Sequence, residues 1–169
     1  NEFGLVVLKT GKCHSENALK RIKREVQILR DVNSQYFPKI YDYSFSNTSG
    51  EFQILEQYIE SNPLSECKNI FDNEAKVVTL LLEAINGMKI LWDKNIVHRD
   101  LKPDNILITY NHNPVIIDLG IARMNNEDSL TNSHLPSGPR TPVYSSPEQI
   151  LNRKELIDMR TDFFVLGIV

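Results

Sequence analysis

The chain has 169 residues, 41% of them hydrophobic and 24% charged, which is enough for one ordinary globular domain with a real core. A formal net charge of −3 speaks against a polybasic nucleic-acid or membrane surface, and no apolar run approaches the roughly 18 residues of a spanning helix. Cys13 and Cys67 show no CxxC spacing and no histidine partner at metal spacing, so they read as free thiols of a reducing, cytoplasmic compartment.

The amino terminus, Asn1-Glu2-Phe3-Gly4, has no basic lead, no cleavage site and no initiator Met, so the expectation is a piece of a longer protein without a secretory signal. Leu5 to Lys9 is apolar and β-branched and reads as a buried strand. Ser15 is placed to cap a helix running through Asp31, with Leu19, Ile22, Val26 and Leu29 at three- and four-residue steps. Ile40 to Phe45 and Phe52 to Tyr58 follow as strands, joined by the turn Ser46-Asn47-Thr48-Ser49-Gly50, and Ser61-Asn62-Pro63 breaks the second.

A long helix is predicted from about Asn73 to Lys94, burying Val77, Leu80, Leu81, Ala84, Ile85, Met88 and Leu91. Short strands at Ile106 to Thr109 and Val115 to Ile117 flank Asn111-His112-Asn113-Pro114. Residues 123 to 140 read as a long polar surface loop, and Phe163 to Val169 as the start of a buried, uncapped helix. His14, His112 and His134 stand in polar contexts and read as solvated. Strands with one helix come first and a helix-rich portion follows, an α+β arrangement with a cleft between two lobes.

The chemistry concentrates in His98-Arg99-Asp100-Leu101-Lys102-Pro103-Asp104-Asn105, followed a hairpin later by Asp118-Leu119-Gly120. A hydroxyl attacking a phosphoryl group must lose its proton, and the reacting phosphates need a divalent cation with hard oxygen ligands. Asp100 offers a base, Lys102 a cation, and Asn105 and Asp118 an amide oxygen and a carboxylate. Singly, each is an ordinary turn or surface residue; in this order they fit metal-assisted phosphoryl transfer.

The octet and the spaced triplet resemble the catalytic loop and metal-binding triplet of eukaryotic-like, bacterial-type serine/threonine protein kinases. The resemblance implies a protein-kinase-like two-lobe α+β fold truncated at both ends. Residues 1–60 would form a partial N-lobe and hinge, and 61–169 a partial C-lobe with catalytic loop and activation segment. It implies ATP and Mg²⁺ (Mn²⁺ as the substitute) and phosphoryl transfer to Ser/Thr hydroxyls of protein substrates. Asp100 would be the base, Lys102 would neutralise the transferred phosphate, and Asn105 and Asp118 would hold the metal.

Val6-Val7-Leu8-Lys9 resembles the family's strand tetrad, so Lys9 would reach the α- and β-phosphates with Glu25 of the following helix as its partner. Val7 and Leu107 would sandwich adenine, with Tyr58 and Ile59 at the connector between lobes and Glu56 at the gate to the back pocket. Thr141, in Arg140-Thr141-Pro142, matches a threonine that contacts the catalytic Asp and Lys. Ser146-Pro147-Glu148 stands for the family's Ala-Pro-Glu, Leu119 for a packing Phe, and Asp162 for a buried brace beneath the catalytic loop. Arg99 suggests control by a phosphate on Ser129, Thr131, Ser133 or Ser137.

Nothing before Lys9 resembles the family's Gly-rich loop, and the family has further helices after the position of Val169. The expectation is that these residues alone are weakly active or inactive and poorly soluble. Two other readings remain open: a pseudokinase or nucleotide-binding scaffold, and a small-molecule kinase of related fold. The second usually lacks both Leu-Lys-Pro after the Asp and the Thr-Pro…Ser-Pro-Glu platform.

Overall fold

The computed structural model describes residues 4–67, 73–119, 123–124 and 142–169. Thr141, Gly120 and the candidate phosphorylation sites at 129, 131, 133 and 137 lie outside the described residues, as do most of the predicted 123–140 loop and His134.

The first sheet is antiparallel with the order β1 (Val6–Lys12), β3 (Glu51–Gln57), β2 (Ile40–Phe45). β3 is central because its alternating pattern buries Ile54 and Glu56 while its neighbours run along the edges. β1 was expected to be buried, yet Leu5 and Leu8 are exposed. Among the described residues it pairs on one side only, with β3, and its apolar side chains stay open to solvent. The turn between β2 and β3 closes through Gly50, whose N–H donates to the Ser46 carbonyl at 2.9 Å while its carbonyl accepts from Cys13 N–H at 2.8 Å. Gly50 has φ 73°, and a Cβ there would collide with the Cys13 carbonyl oxygen, so the site needs glycine.

Between β1 and β2 lies α1 (Glu16–Val32), one residue longer than predicted. Ser15 is its N-cap, accepting from Ala18 N–H at 3.2 Å, and the left-handed Asn33 ends it. α1 buries Leu19, Val26, Ile28, Leu29 and Val32.

α2 (Glu74–Trp92) begins at the Asn73 cap as predicted, but its first turn is solvated and Val77 is exposed rather than buried. The buried stripe starts at Leu80 and continues through Ala84, Gly87, Met88 and Leu91. Gly87 allows close approach: a Cβ there would stand 2.9 Å from Tyr36 Cβ and 3.2 Å from Ile116 Cδ1. One core joins Ile28 and Leu29 of α1, Met88 and Leu91 of α2, and Leu101 and Leu119 of the motif segments. Fully burying one Leu contributes about 1.5–3 kcal/mol, so Leu101 and Leu119 pin both motifs to the core.

Ser61-Asn62-Pro63, expected only to break a strand, forms the short strand β4 (Ser61–Pro63), which pairs with β6 (Ile106–Thr109). β7 (Pro114–Ile116) completes that sheet one residue earlier than predicted. Arg123 and Met124, expected in a loop, form β8 (Arg123–Met124) against β5 (Ile96–Val97). α3 (Pro147–Ile150) follows. The last helix, α4 (Met159–Leu166), starts four residues before the apolar run because Asp158 caps it, accepting from Arg160 N–H at 2.8 Å. It buries Thr161, Asp162, Val165 and Leu166 and leaves Phe163 and Phe164 exposed, so the apolar stretch is only half buried.

Candidate active site

The segment before β6 is shaped by a buried carboxylate. Asp162, fully buried on α4, accepts from His98 N–H and Arg99 N–H at 2.9 Å each and from Trp92 Nε1–H at 3.0 Å. Burial pushes its pKa above the usual carboxylate range, while His98 and these N–H donors pull the other way. The brace expected from the sequence is therefore where the resemblance put it.

His98 is equally buried. Its Nδ1 accepts from Asp100 N–H at 3.3 Å, which leaves Nε2–H to donate to the Ile117 carbonyl at 3.2 Å. This one ring links the two motifs, fixing the backbone of Asp100 on one side and the strand end before Asp118 on the other. Arg99 and Asp118 both adopt left-handed backbone, with φ 71° and 65°. Side chains rarely adopt it, at a cost of about 1–2 kcal/mol each, and it persists only where neighbours enforce it. For Arg99 the enforcement is visible, since Asp162 holds its N–H and Gln149 Nε2 donates to its carbonyl at 2.7 Å.

Around Asp100 the predicted polar groups converge. Lys102 Nζ lies 3.6 Å from Asp100 Oδ2, and both side chains are largely shielded. Asn105 is buried, and its Nδ2 donates to the Asp100 carbonyl at 2.9 Å and approaches Asp100 Oδ2 at 3.5 Å. With the amide nitrogen turned inward, Oδ1 is the atom left for a cation. The Asn105 carbonyl accepts from Ile117 N–H at 3.0 Å, so Asn105 and Asp118 emerge side by side from the two strands of one hairpin. An amide oxygen beside a carboxylate is a donor set that suits Mg²⁺, which takes few protein oxygens. Leu119 packs in the core, as expected for a residue that does not coordinate.

The first sheet supplies the opposite side. Val7 stands directly across from Glu56, and Lys9 across from Ile54, on the β1–β3 ladder. Val7 and Leu107 are half-buried, Tyr58 is exposed and Ile59 half-buried just after β3. Lys9 does not meet its expected partner: its Nζ lies 2.8 Å from Glu56 Oε1 instead of pairing with Glu25. The physical reason is the register, because Glu56 is the diagonal neighbour of Lys9 on the same sheet face. Burial pushes the Glu25 pKa up to about 7; Lys9 lowers it in part, and the charges of Asp118 and Glu56 raise it further. Glu25, Lys9, Glu56 and Asp118 therefore share one electrostatic neighbourhood.

Sequence reasoning missed two residues. Gln149 joins the Ser146 turn to the catalytic loop: its Oε1 accepts from Ser146 N–H at 3.1 Å and from Ser146 Oγ at 3.3 Å while its amide holds Arg99. The Ser-x-x-Gln spacing is a legible capping signal, but the long-range bond is not. Thr161 Oγ1 donates to Glu148 Oε1 at 2.5 Å. Burial works to raise the Glu148 pKa, but hydrogen bonds from Thr161, its own backbone N–H and Ser146 outweigh it and hold the carboxyl below its usual value.

A family model described as the protein kinase domain matches residues 3–169. The chain belongs to the protein kinase family. Among relatives of this kinase chain, serine/threonine-protein kinase D of Synechocystis is 33% identical over 97% of the chain and 34% of its own length. A probable serine/threonine-protein kinase MRK1 homolog of Encephalitozoon cuniculi is 31% identical over 99% of the chain and 54% of its own length. Probable serine/threonine-protein kinase PknB of Bifidobacterium longum is 26% identical over 96% of the chain and 25% of its own length. The chain thus spans between a quarter and about half of these kinases. Protein kinases in general use ATP and a divalent metal, and their substrates are proteins. Among the described residues no helix is long and apolar enough to cross a membrane.

Proposed function

We propose that the protein transfers the γ-phosphoryl group of ATP to serine and threonine hydroxyls of protein substrates. The observation that carries this is the gathering of Lys102 and Asn105 on one carboxylate, Asp100, at 3.6 and 3.5 Å. Asp118 stands beside Asn105, one residue beyond a shared backbone hydrogen bond. Positioning and charge neutralisation are what phosphoryl transfer asks of a protein, and this set supplies both.

In this reading Asp100 accepts the proton of the attacking hydroxyl, and Lys102 faces the charge that builds on the transferred group. Asn105 Oδ1 and the Asp118 carboxylate hold Mg²⁺, with Mn²⁺ as the substitute; the metal, when bound, neutralises phosphate charge. Val7 and Leu107 enclose the adenine ring, Tyr58 and Ile59 meet its edge through their backbone, and Lys9 binds the α- and β-phosphates. By the resemblance Thr141 would contact Asp100 and Lys102, and Glu25 would stand near Lys9. Residues 1–60 act as partial N-lobe and hinge and 61–169 as partial C-lobe. The Lys102 position favours serine and threonine over tyrosine, and a cytoplasmic setting suits two free thiols.

The test is Mg²⁺-dependent transfer of labelled phosphate from ATP to a generic protein substrate, on the full-length protein. Asp100→Asn should lower the rate about 10²-fold or more. A wild-type protein that binds nucleotide but never transfers phosphate would identify a pseudokinase, and transfer only to small molecules would identify the related small-molecule class.

A further inference from the structure

We propose that Glu56, in the central strand of the first sheet, is the carboxylate that positions Lys9, in place of the helical Glu25. This deepens the kinase reading and rests on it, since the ammonium matters only where phosphates are bound.

The sheet makes the pairing. Residues directly opposite on an antiparallel ladder point to the same face, and so do residues two apart along a strand. Val7 faces Glu56 and Lys9 lies two residues beyond Val7, so Val7, Lys9 and Glu56 share one face. Glu56 is fixed from both sides, because β3 pairs it with Val7 of β1 and Ile40 of β2. Its side chain is 9% exposed and that of Lys9 43%, with 2.8 Å between Nζ and Oε1. Burying a carboxylate costs free energy unless a partner compensates it, and the Lys9 ammonium is that partner.

Glu25 lacks these advantages. It rides on α1, whose position depends on side-chain packing and not on the strand ladder. Burial also drives its carboxyl toward the neutral form, which weakens its pull on a cation. An ammonium anchored within the sheet keeps its aim if α1 shifts; one anchored on the helix does not. Glu56 is thus a positioning residue that acts through Lys9 and need not touch the nucleotide.

The test compares wild type, Glu56→Gln, Glu56→Asp, Glu25→Gln and the remote control Glu16→Gln in the full-length protein. Two readouts are taken: acylation of the Lys9 amine with an isotopic reagent, read by peptide mass spectrometry without nucleotide, and the KM for ATP against kcat. Glu56→Gln should raise Lys9 labelling and the KM for ATP by about fivefold or more, and Glu56→Asp should recover part of both. Glu25→Gln should produce the smaller change, and Glu16→Gln should match wild type. A larger change in labelling from Glu25→Gln, or wild-type labelling in Glu56→Gln, overturns the proposal. Labelling needs no turnover, so absent phosphotransfer would sink the kinase reading while labelling still decides the Glu56–Lys9 pairing.

Discussion

Gln149 donates a 2.7 Å hydrogen bond from its side-chain amide to the backbone carbonyl of Arg99, the residue immediately before Asp100. Arg99 has a left-handed backbone, and its N–H is held from the opposite side by Asp162. The loop carrying the candidate base is therefore gripped between α4 and the turn at the start of α3. That turn lies in the segment whose sequence resembles a substrate platform, so Gln149 links the two by one buried amide.

Gln149→Leu removes the donor to Arg99 and the acceptor for Ser146 while keeping similar volume. The expected result is a kcat at least about tenfold lower with a nearly unchanged KM for ATP, because Asp100 is displaced while the nucleotide contacts remain. Gln149→Glu keeps the acceptor for Ser146 but sets a carboxylate oxygen against the Arg99 carbonyl, and should lose as much. Steady-state kinetics, with thermal unfolding to confirm folding, would test both; an equal rise in KM without loss of kcat would contradict this account.

What the sequence shows of this site is what depends on local order. His98 through Asn105 and Asp118 are contiguous or joined by one hairpin, so their convergence follows from short-range geometry. The Ser15 cap announces the start of α1 because capping chemistry is local. Lys9 was legible as a strand residue, but its partner was not, since a register between β1 and β3 decides whether Glu56 or Glu25 comes within reach. Val77 misled for a related reason: periodicity marks an apolar stripe on α2 but cannot say where along the helix the neighbours stop covering it. Asp158 caps α4 ahead of the mostly polar residues Met159-Arg160-Thr161-Asp162, which carry no apolar periodicity to mark a helix before Phe163.

Asp162→Ala should be costly. It leaves the His98 and Arg99 N–H groups and Trp92 Nε1–H facing a buried gap, and each unsatisfied buried donor costs about 1–3 kcal/mol. Partial rearrangement would bring the net loss to about 3–5 kcal/mol, the range for breaking a buried charged network. Urea denaturation followed by the fluorescence of Trp92, the single tryptophan, reports both stability and the lost indole contact. A loss under about 1 kcal/mol would show that the brace is dispensable.

Asp118→Asn tests the metal pair. An amide is a neutral and weaker ligand for a hard cation than a carboxylate, so the Mg²⁺ concentration giving half-maximal transfer should rise by about tenfold or more. The fold should survive, because Asp118 is exposed while Leu119 beside it carries the packing. Activation curves in Mg²⁺ and in Mn²⁺ with matched melting temperatures are the measurement. An unchanged curve would remove Asp118 from the metal site.

Glu25 gives a pH signature whose sign follows from linkage. Its ordinary pKa is 4.5, and burial, opposed in part by Lys9 and reinforced by Asp118 and Glu56, raises it to about 7 in the folded chain. Below pH 4.5 both folded and unfolded forms hold the proton, and whatever the protonated carboxyl contributes is fully present. Between 4.5 and about 7 the unfolded chain releases the proton and the folded chain retains it, so stability falls as pH rises; above that the effect levels off. The loss is at most about 3 kcal/mol, and less to the extent that the half-buried carboxyl still meets solvent. Glu25→Gln removes the titration, so urea midpoints of the variant should change less than those of wild type between pH 5 and 8. At pH 8 the variant should be the more stable protein. Parallel midpoints for the two proteins across this range would place the Glu25 carboxyl back near its ordinary pKa.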